Sequence, residues 1–177
     1  MTLKSAGSQL RHSTMRHVSM IYLGCMGRTK PIVSADYVVG LTDGEGCFYV
    51  NVADSSSYRG GARIDLNFYV KMNEKDIDLL LKIKNTLGCG NVYFQKEQRK
   101  NHTQCYRYTV GSHRDVIGKI IPFFKKHRLQ SASKQKSFHA FCKIAEIVQT
   151  KRHLTKNGVK QIRKLKAQMN KKTIGLA

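Results

Sequence analysis

The stretch VVGLTDGEG, residues 38–46, carries two acids, Asp43 and Glu45, and three glycines, two of them four residues apart. Ser34 suits an N-cap and Asp36 lies in the first turn, so a helix is expected from about Ser34 to Glu45. Gly46 is expected to stop it as a C′ residue. Two features of this helix are costly. Gly40 and Gly44 each forfeit about 1 kcal/mol against alanine. Their spacing puts them on one face, flanked by Tyr37 and Leu41. The physical return is close approach of a second helix backbone, from the same chain or, across a two-fold axis, from a second copy. Glu45 sits at the helix C-terminus, where an acid opposes the macrodipole by a few tenths to about 1 kcal/mol. A solvated terminal glutamate is the bland reading. The sharper one is a divalent cation, since carboxylate and carbonyl oxygens suit Mg²⁺. Two metal-bound carboxylates beside a basic groove suit hydrolysis of one phosphodiester on each strand of a duplex.

The rest of the chain is built for a polyanion. Thirty-two Lys and Arg face 11 Asp and Glu in 177 residues, a net charge of +21 at pH 7. Such an excess repels itself unless a partner such as nucleic acid screens it. Five scattered cysteines without a CxxC pair read as reduced thiols rather than disulfides or a zinc site. The seven histidines show no metal-finger or HExxH spacing, and no apolar run is long enough to span a bilayer. Residues 1–33 contain no acid and no core-forming pattern, so they are read as a basic, poorly ordered extension. Residues 34–177 are read as one domain.

The elements that position the acids follow from periodicity. CFYVNVA and ARIDLNFYVK alternate as the strands of a hairpin. Phe48, Val50, Val52, Ile64, Leu66, Phe68 and Val70 form an apolar face. A helix then runs from the cap-like Asn73 and Asp76 to Gly88. NVYFQKE and CYRYTV form a second hairpin, with Val92, Phe94, Tyr106, Tyr108 and Val110 expected inside. Helices follow near Arg114–Phe124, from about Ser133 to Gln149, and from Thr155 to Met169. The class is α+β, a four-stranded antiparallel sheet with helices over one face. The other face carries Tyr49, Asn51, Arg63, Asp65, Asn67, Tyr69, Tyr93, Gln95 and Arg107. Arg can read guanine, Asn and Gln adenine, and Asp cytosine. The basic loop before the fourth strand and the Lys-rich tail suit phosphates, which position without specifying.

VVGLTDGEG followed by a strand resembles the signature of the LAGLIDADG homing endonucleases, with Gly40, Leu41, Asp43 and Gly46 identical to it. LGCGNVYF, YTVGSHRDVIGKIIPFF, SKQKSFHAF and LTKNGVKQIRKLKAQMN extend the resemblance over about residues 34–170. It implies an αββαββα core with a saddle-shaped sheet lying in the major groove of double-stranded DNA. With one copy of the motif, it implies a homodimer whose motif helices, through Tyr37, Gly40, Leu41 and Gly44, form the two-fold interface. The implied activity is a Mg²⁺- or Mn²⁺-dependent double-strand break with 3′ overhangs at a long pseudopalindromic site. Glu45 is then the metal-binding acid, the Gly44 carbonyl a second ligand, and Lys134 the basic residue of the active site. Asp43 is implied to be structural. A glutamine common in the family on the strand-to-helix turn is replaced near Met72, which bears on the solvent network rather than the metal. The same scaffold also serves maturases, so intron RNA is the alternative partner, with a non-catalytic DNA-binding regulator ranked behind it. An intracellular setting follows, an organelle or a bacterial cytoplasm.

Overall fold

The computed structural model describes residues 30–97 and 103–169. Most of the expected N-terminal extension, the centre of the basic loop and the end of the Lys-rich tail lie outside the described residues. Ser34 caps helix α1 (Ala35–Glu45), its hydroxyl accepting from the Tyr37 amide at 3.2 Å. α1 passes without a loop into strand β1 (Gly46–Asp54), which turns back into β2 (Ala62–Asn73). The Asn73 side-chain oxygen Oδ1 caps a 3₁₀ turn, Glu74–Asp76, accepting from the Lys75 amide at 3.1 Å, and α2 (Ile77–Leu87) ends at left-handed Gly88, φ 64°. β3 (Asn91–Gln95) and β4 (Cys105–Val110) form the second hairpin. The next helical stretch is α3 (His113–Asp115), a π turn at Val116–Ile120, and α4 (Ile121–Lys126). α5 (Ala132–Gln149) and α6 (Lys156–Met169) complete the order, with the Thr155 hydroxyl accepting from the Gly158 amide at 3.0 Å. Pro31 and Val33 are already bonded to α2: Thr86 Oγ1 accepts from the Val33 amide and donates to its carbonyl, and Asn85 donates to the Pro31 carbonyl.

The sheet is antiparallel throughout, in the order β1-β2-β4-β3. Register places Phe48 opposite Phe68 and Phe68 opposite Val110, with Val70 opposite Tyr108. These residues are buried beneath the helices, against Leu80, Ile83, Val116, Ile120, Phe124, Phe141 and Ile144. Phe48 is the hub: its ring centroid lies 5.0–5.4 Å from those of Phe68, Phe124, Phe138 and Phe141. Deleting such a ring would cost about 3–5 kcal/mol.

Three expectations change. Gly46 is not a left-handed C′ glycine; it is extended, at φ −75° and ψ 150°. It must be glycine for a different reason. A Cβ there would sit 2.6 Å from Thr42 Cγ2 and 2.8 Å from Thr42 Cα, because the chain leaves α1 directly across its last turn. Phe94 shares the core side of the sheet by register, opposite Tyr106, yet is 54% exposed. It lies on an edge strand near its end, where its ring meets Tyr106 edge-on instead of a helix. Met72 lies inside β2, one residue short of its end, and packs against the core rather than on the turn.

Candidate functional site

The junction of α1 and β1 gathers the candidate chemistry. Glu45 ends the helix and is exposed. Among the described residues it has no hydrogen bond or ion pair. The Gly44 carbonyl belongs to the last helical turn, whose acceptors have no intrahelical donors. From the first turn of α5, Lys134 reaches this junction and donates from Nζ to the Gly46 carbonyl at 2.5 Å, across 88 residues of sequence. That puts its ammonium one residue past Glu45 in the chain, without forming a salt bridge to it.

Lys134 is held there from two sides. Phe138, one turn along α5, packs at a tilt against Phe48 of β1 with ring centroids 5.0 Å apart and meets Phe124 edge-on at 6.0 Å, which registers α5 on the sheet. The approach to α5 is tied to α1 directly. Asp43 Oδ2 accepts from the Gln130 amide at 2.7 Å, Leu129 is buried, and Gln135 Nε2 donates to the Leu129 carbonyl at 2.6 Å. Asp43 therefore anchors the start of the helix that delivers Lys134, in keeping with a structural role.

The glycine face of α1 points away from its own chain. Val38, Val39 and Thr42 are buried, whereas Tyr37, Gly40 and Gly44 are exposed and Leu41 is half-buried. A Cβ added at Gly40 or Gly44 would meet no other heavy atom within 4 Å. Among the described residues, no helix of the same chain packs against this face.

The sheet face opposite the core collects all nine proposed DNA-reading residues. Register sets Tyr49 opposite Asn67, Asn51 opposite Asp65, and Tyr93 opposite Arg107, which in turn faces Lys71. Tyr69 and Gln95 fall in the adjacent rows, and Arg63 lies opposite Ala53 at the far end. Two clusters stand out. At one, Arg63 Nε donates to Asp65 Oδ2 at 3.1 Å, Arg63 Nη2 lies 3.0 Å from the same oxygen as an ion pair, and Asn51 Nδ2 donates to it at 3.2 Å. At the other, the Arg107 guanidinium lies 4.7 Å from the Tyr69 ring centre, and Lys71 pairs with Glu97 at 3.6 Å. Burial, then a hydrogen bond with Cys47, pushes the Tyr69 phenol up to about 12. It therefore stays protonated at any ordinary pH.

The same face also holds Cys47, Thr109 and Asn91 by register, which strict alternation would have found. Lys166 was not accessible that way. It comes from α6 to lie 5.9 Å from the Tyr49 ring centre, and α6 is pinned beside β1 by the Arg163–Asp54 ion pair. No group of three or more His, Cys, Asp or Glu residues that could hold a metal occurs among the described residues. No described helix is long and apolar enough to cross a membrane.

This fold has clear counterparts. Residues 38–145 match the family described as LAGLIDADG endonuclease. This chain belongs to that family. It is 26% identical over 167 residues, 94% of its length, to a probable intron-encoded endonuclease 2 of Neurospora crassa, and spans 34% of that relative. Among solved LAGLIDADG-type structures it resembles the homing endonuclease I-TnaI, with TM-score 0.69 and 32% identity, over 79% of this chain and 90% of that one. It also resembles I-SmaMI bound to an uncleaved DNA target in the presence of calcium ions, with TM-score 0.72 and 33% identity, over 81% of this chain and 47% of that one. The chain thus spans about a third of the curated relative and about half of I-SmaMI. The four-stranded antiparallel sheet backed by helices is the architecture it shares with these structures.

Proposed function

We propose that two copies of this chain form a site-specific DNA homing endonuclease that makes a double-strand break at a long, pseudopalindromic target. The observation that carries the reading is the Lys134 contact with the Gly46 carbonyl, which sets an ammonium at the α1–β1 junction, on the residue that follows Glu45. The exposed face of Tyr37, Gly40, Leu41 and Gly44 supports pairing of two α1 helices. Such pairing would bring both copies of Glu45 to one axis and align two sheets along one duplex. I-SmaMI, described as bound to an uncleaved DNA target, supports double-stranded DNA as the partner.

The residues fit a hard divalent cation, Mg²⁺ or Mn²⁺. Such an ion takes about six oxygens. One copy offers the Glu45 carboxylate, which no protein group occupies, and the Gly44 carbonyl; the partner copy, DNA phosphate and water would supply the remainder. When bound, the ion supplies Lewis acidity and a more acidic water. Glu45 would hold it. Lys134 adds positive charge where negative charge develops on the phosphate, in a position fixed before substrate arrives. The sheet face holds the duplex in register. Cuts directed across the minor groove from paired sites would leave 3′ overhangs.

The test uses a duplex selected by binding from a randomised pool. Wild type and Glu45→Gln should bind it equally, and wild type alone should cut it in Mg²⁺. Equal cutting by the variant would show that Glu45 is not the acid.

A further inference from the structure

Sequence alone treats Asp65 as a reader of cytosine. Its contacts describe another task. Asp65 and Arg63 are two residues apart on one strand face, and Asn51 is the register partner of Asp65 on β1. One oxygen, Asp65 Oδ2, accepts from Arg63 Nε at 3.1 Å and from Asn51 Nδ2 at 3.2 Å, and lies 3.0 Å from Arg63 Nη2 in the same ion pair. The arginine side chain is 52% exposed and the aspartate 34%, so the guanidinium stands farther out and meets a duplex first. Bonding through Nε and Nη2 uses the lateral edge of the guanidinium. The terminal edge, Nη1 with the outer hydrogen of Nη2, has no partner among the described residues. That edge has the fork spacing that matches guanine O6 and N7.

We infer that Asp65 is a specificity-positioning residue: it holds Arg63, with Asn51 locked to the same oxygen, so that Arg63 reads one guanine per copy of the chain. The inference rests on the DNA-binding reading above. A carboxylate on a surface that meets phosphates is repulsive unless it does something else, and here it removes freedom from the arginine. Without it, Arg63 regains its many rotamers and can swing to the nearest phosphate, which carries no sequence information. The bond thus converts a general phosphate-seeking cation into a base reader, and the cost of ordering it is met before DNA arrives.

The experiment is binding selection from a randomised duplex pool, in the absence of divalent metal, by the full chain as wild type, Asp65→Asn, Arg63→Ala and the double variant. Wild type should enrich guanine at a position that Arg63→Ala loses. Asp65→Asn should lower guanine preference at that same position by roughly tenfold or more, the scale of one bidentate contact. Preference elsewhere should hold, and affinity for unselected duplex should hold or rise. The double variant should match Arg63→Ala. Loss at a cytosine that Arg63→Ala leaves intact would overturn the inference, because Asp65 would then be reading a base itself. So would an unchanged profile, or an equal decline at every position. Enrichment of no sequence by wild type would overturn the DNA-binding reading and this inference with it.

Discussion

Gly40→Ala is the change that separates the two possible uses of the α1 face, because its effects on folding and on association carry opposite signs. Within one copy, the added methyl meets nothing within 4 Å. It therefore brings no steric cost, and the helix gains about 1 kcal/mol of propensity. For a domain of this size that gain raises the midpoint of thermal unfolding by roughly 2–4 °C. Between two copies the outcome reverses. A two-fold axis places the methyl at the contact twice, and overpacking costs about 1–3 kcal/mol at each. Dimer affinity should then fall at least roughly 30-fold, since each 1.4 kcal/mol is about a factor of ten. The assay pairs sedimentation velocity over a concentration series with thermal unfolding at a concentration where wild type is monomeric. That choice matters because dimerisation itself raises apparent stability. Higher melting with weaker self-association, and loss of cleavage with it, is the expected result. A lower melting temperature with unchanged sedimentation would refute the argument, since the glycine would then be serving its own chain.

Lys134→Met should leave DNA binding in place and cut cleavage by about 10²–10³-fold, the scale for removing one group aimed at developing charge. It should also lower stability by about 1–3 kcal/mol, because the buried Gly46 loses a carbonyl partner. Equal cleavage by this variant in single-turnover kinetics would remove Lys134 from the reaction. Asp43→Ala should free the Gln130 amide, lower stability by about 1–3 kcal/mol, and reduce cleavage more than binding as the start of α5 loosens. Asp43→Asn, which keeps an acceptor oxygen, should restore most of the loss. Burial pushes the Cys142 thiol up from 9.0 to about 11, a raised value in the folded state. Its contribution is present below pH 9 and fades as pH rises through 11, so denaturation midpoints should fall across that window. Cys89, raised chiefly by burial, acts in the same direction. Cys142→Ala should therefore flatten the decline without abolishing it.

Much of the fold could be read residue by residue. The Ser34 cap, the Asn73 cap and the stop at Gly88 depend on atoms within a few positions of each other, so local chemistry determines them. The polar side of the sheet was equally legible, because strand side chains alternate whatever lies above them. Phe94 marks the boundary of that logic. Period two assigned it to the core side correctly, but whether a helix covers that end of β3 depends on distant segments. Gly46 marks another. The sequence called for a glycine at the helix end; only the path of the chain into β1 made close approach to Thr42 the cause.

The candidate site divides along the same line. Sequence by itself determined which residues could do chemistry: an acid at the end of a twice-glycined helix, a lysine opening a later helix, and alternating polar side chains in a strongly basic chain. Tertiary structure decided what each of them touches. Lys134 meets the α1–β1 junction across 88 residues of sequence because Phe138 and Asp43 hold the start of α5 in place. Asp65 turned from a possible base reader into a holder of Arg63 when register set Asn51 beside it. Side-chain type and face are local properties of a chain, whereas partners are chosen by packing between segments that the chain brings together only once it has folded.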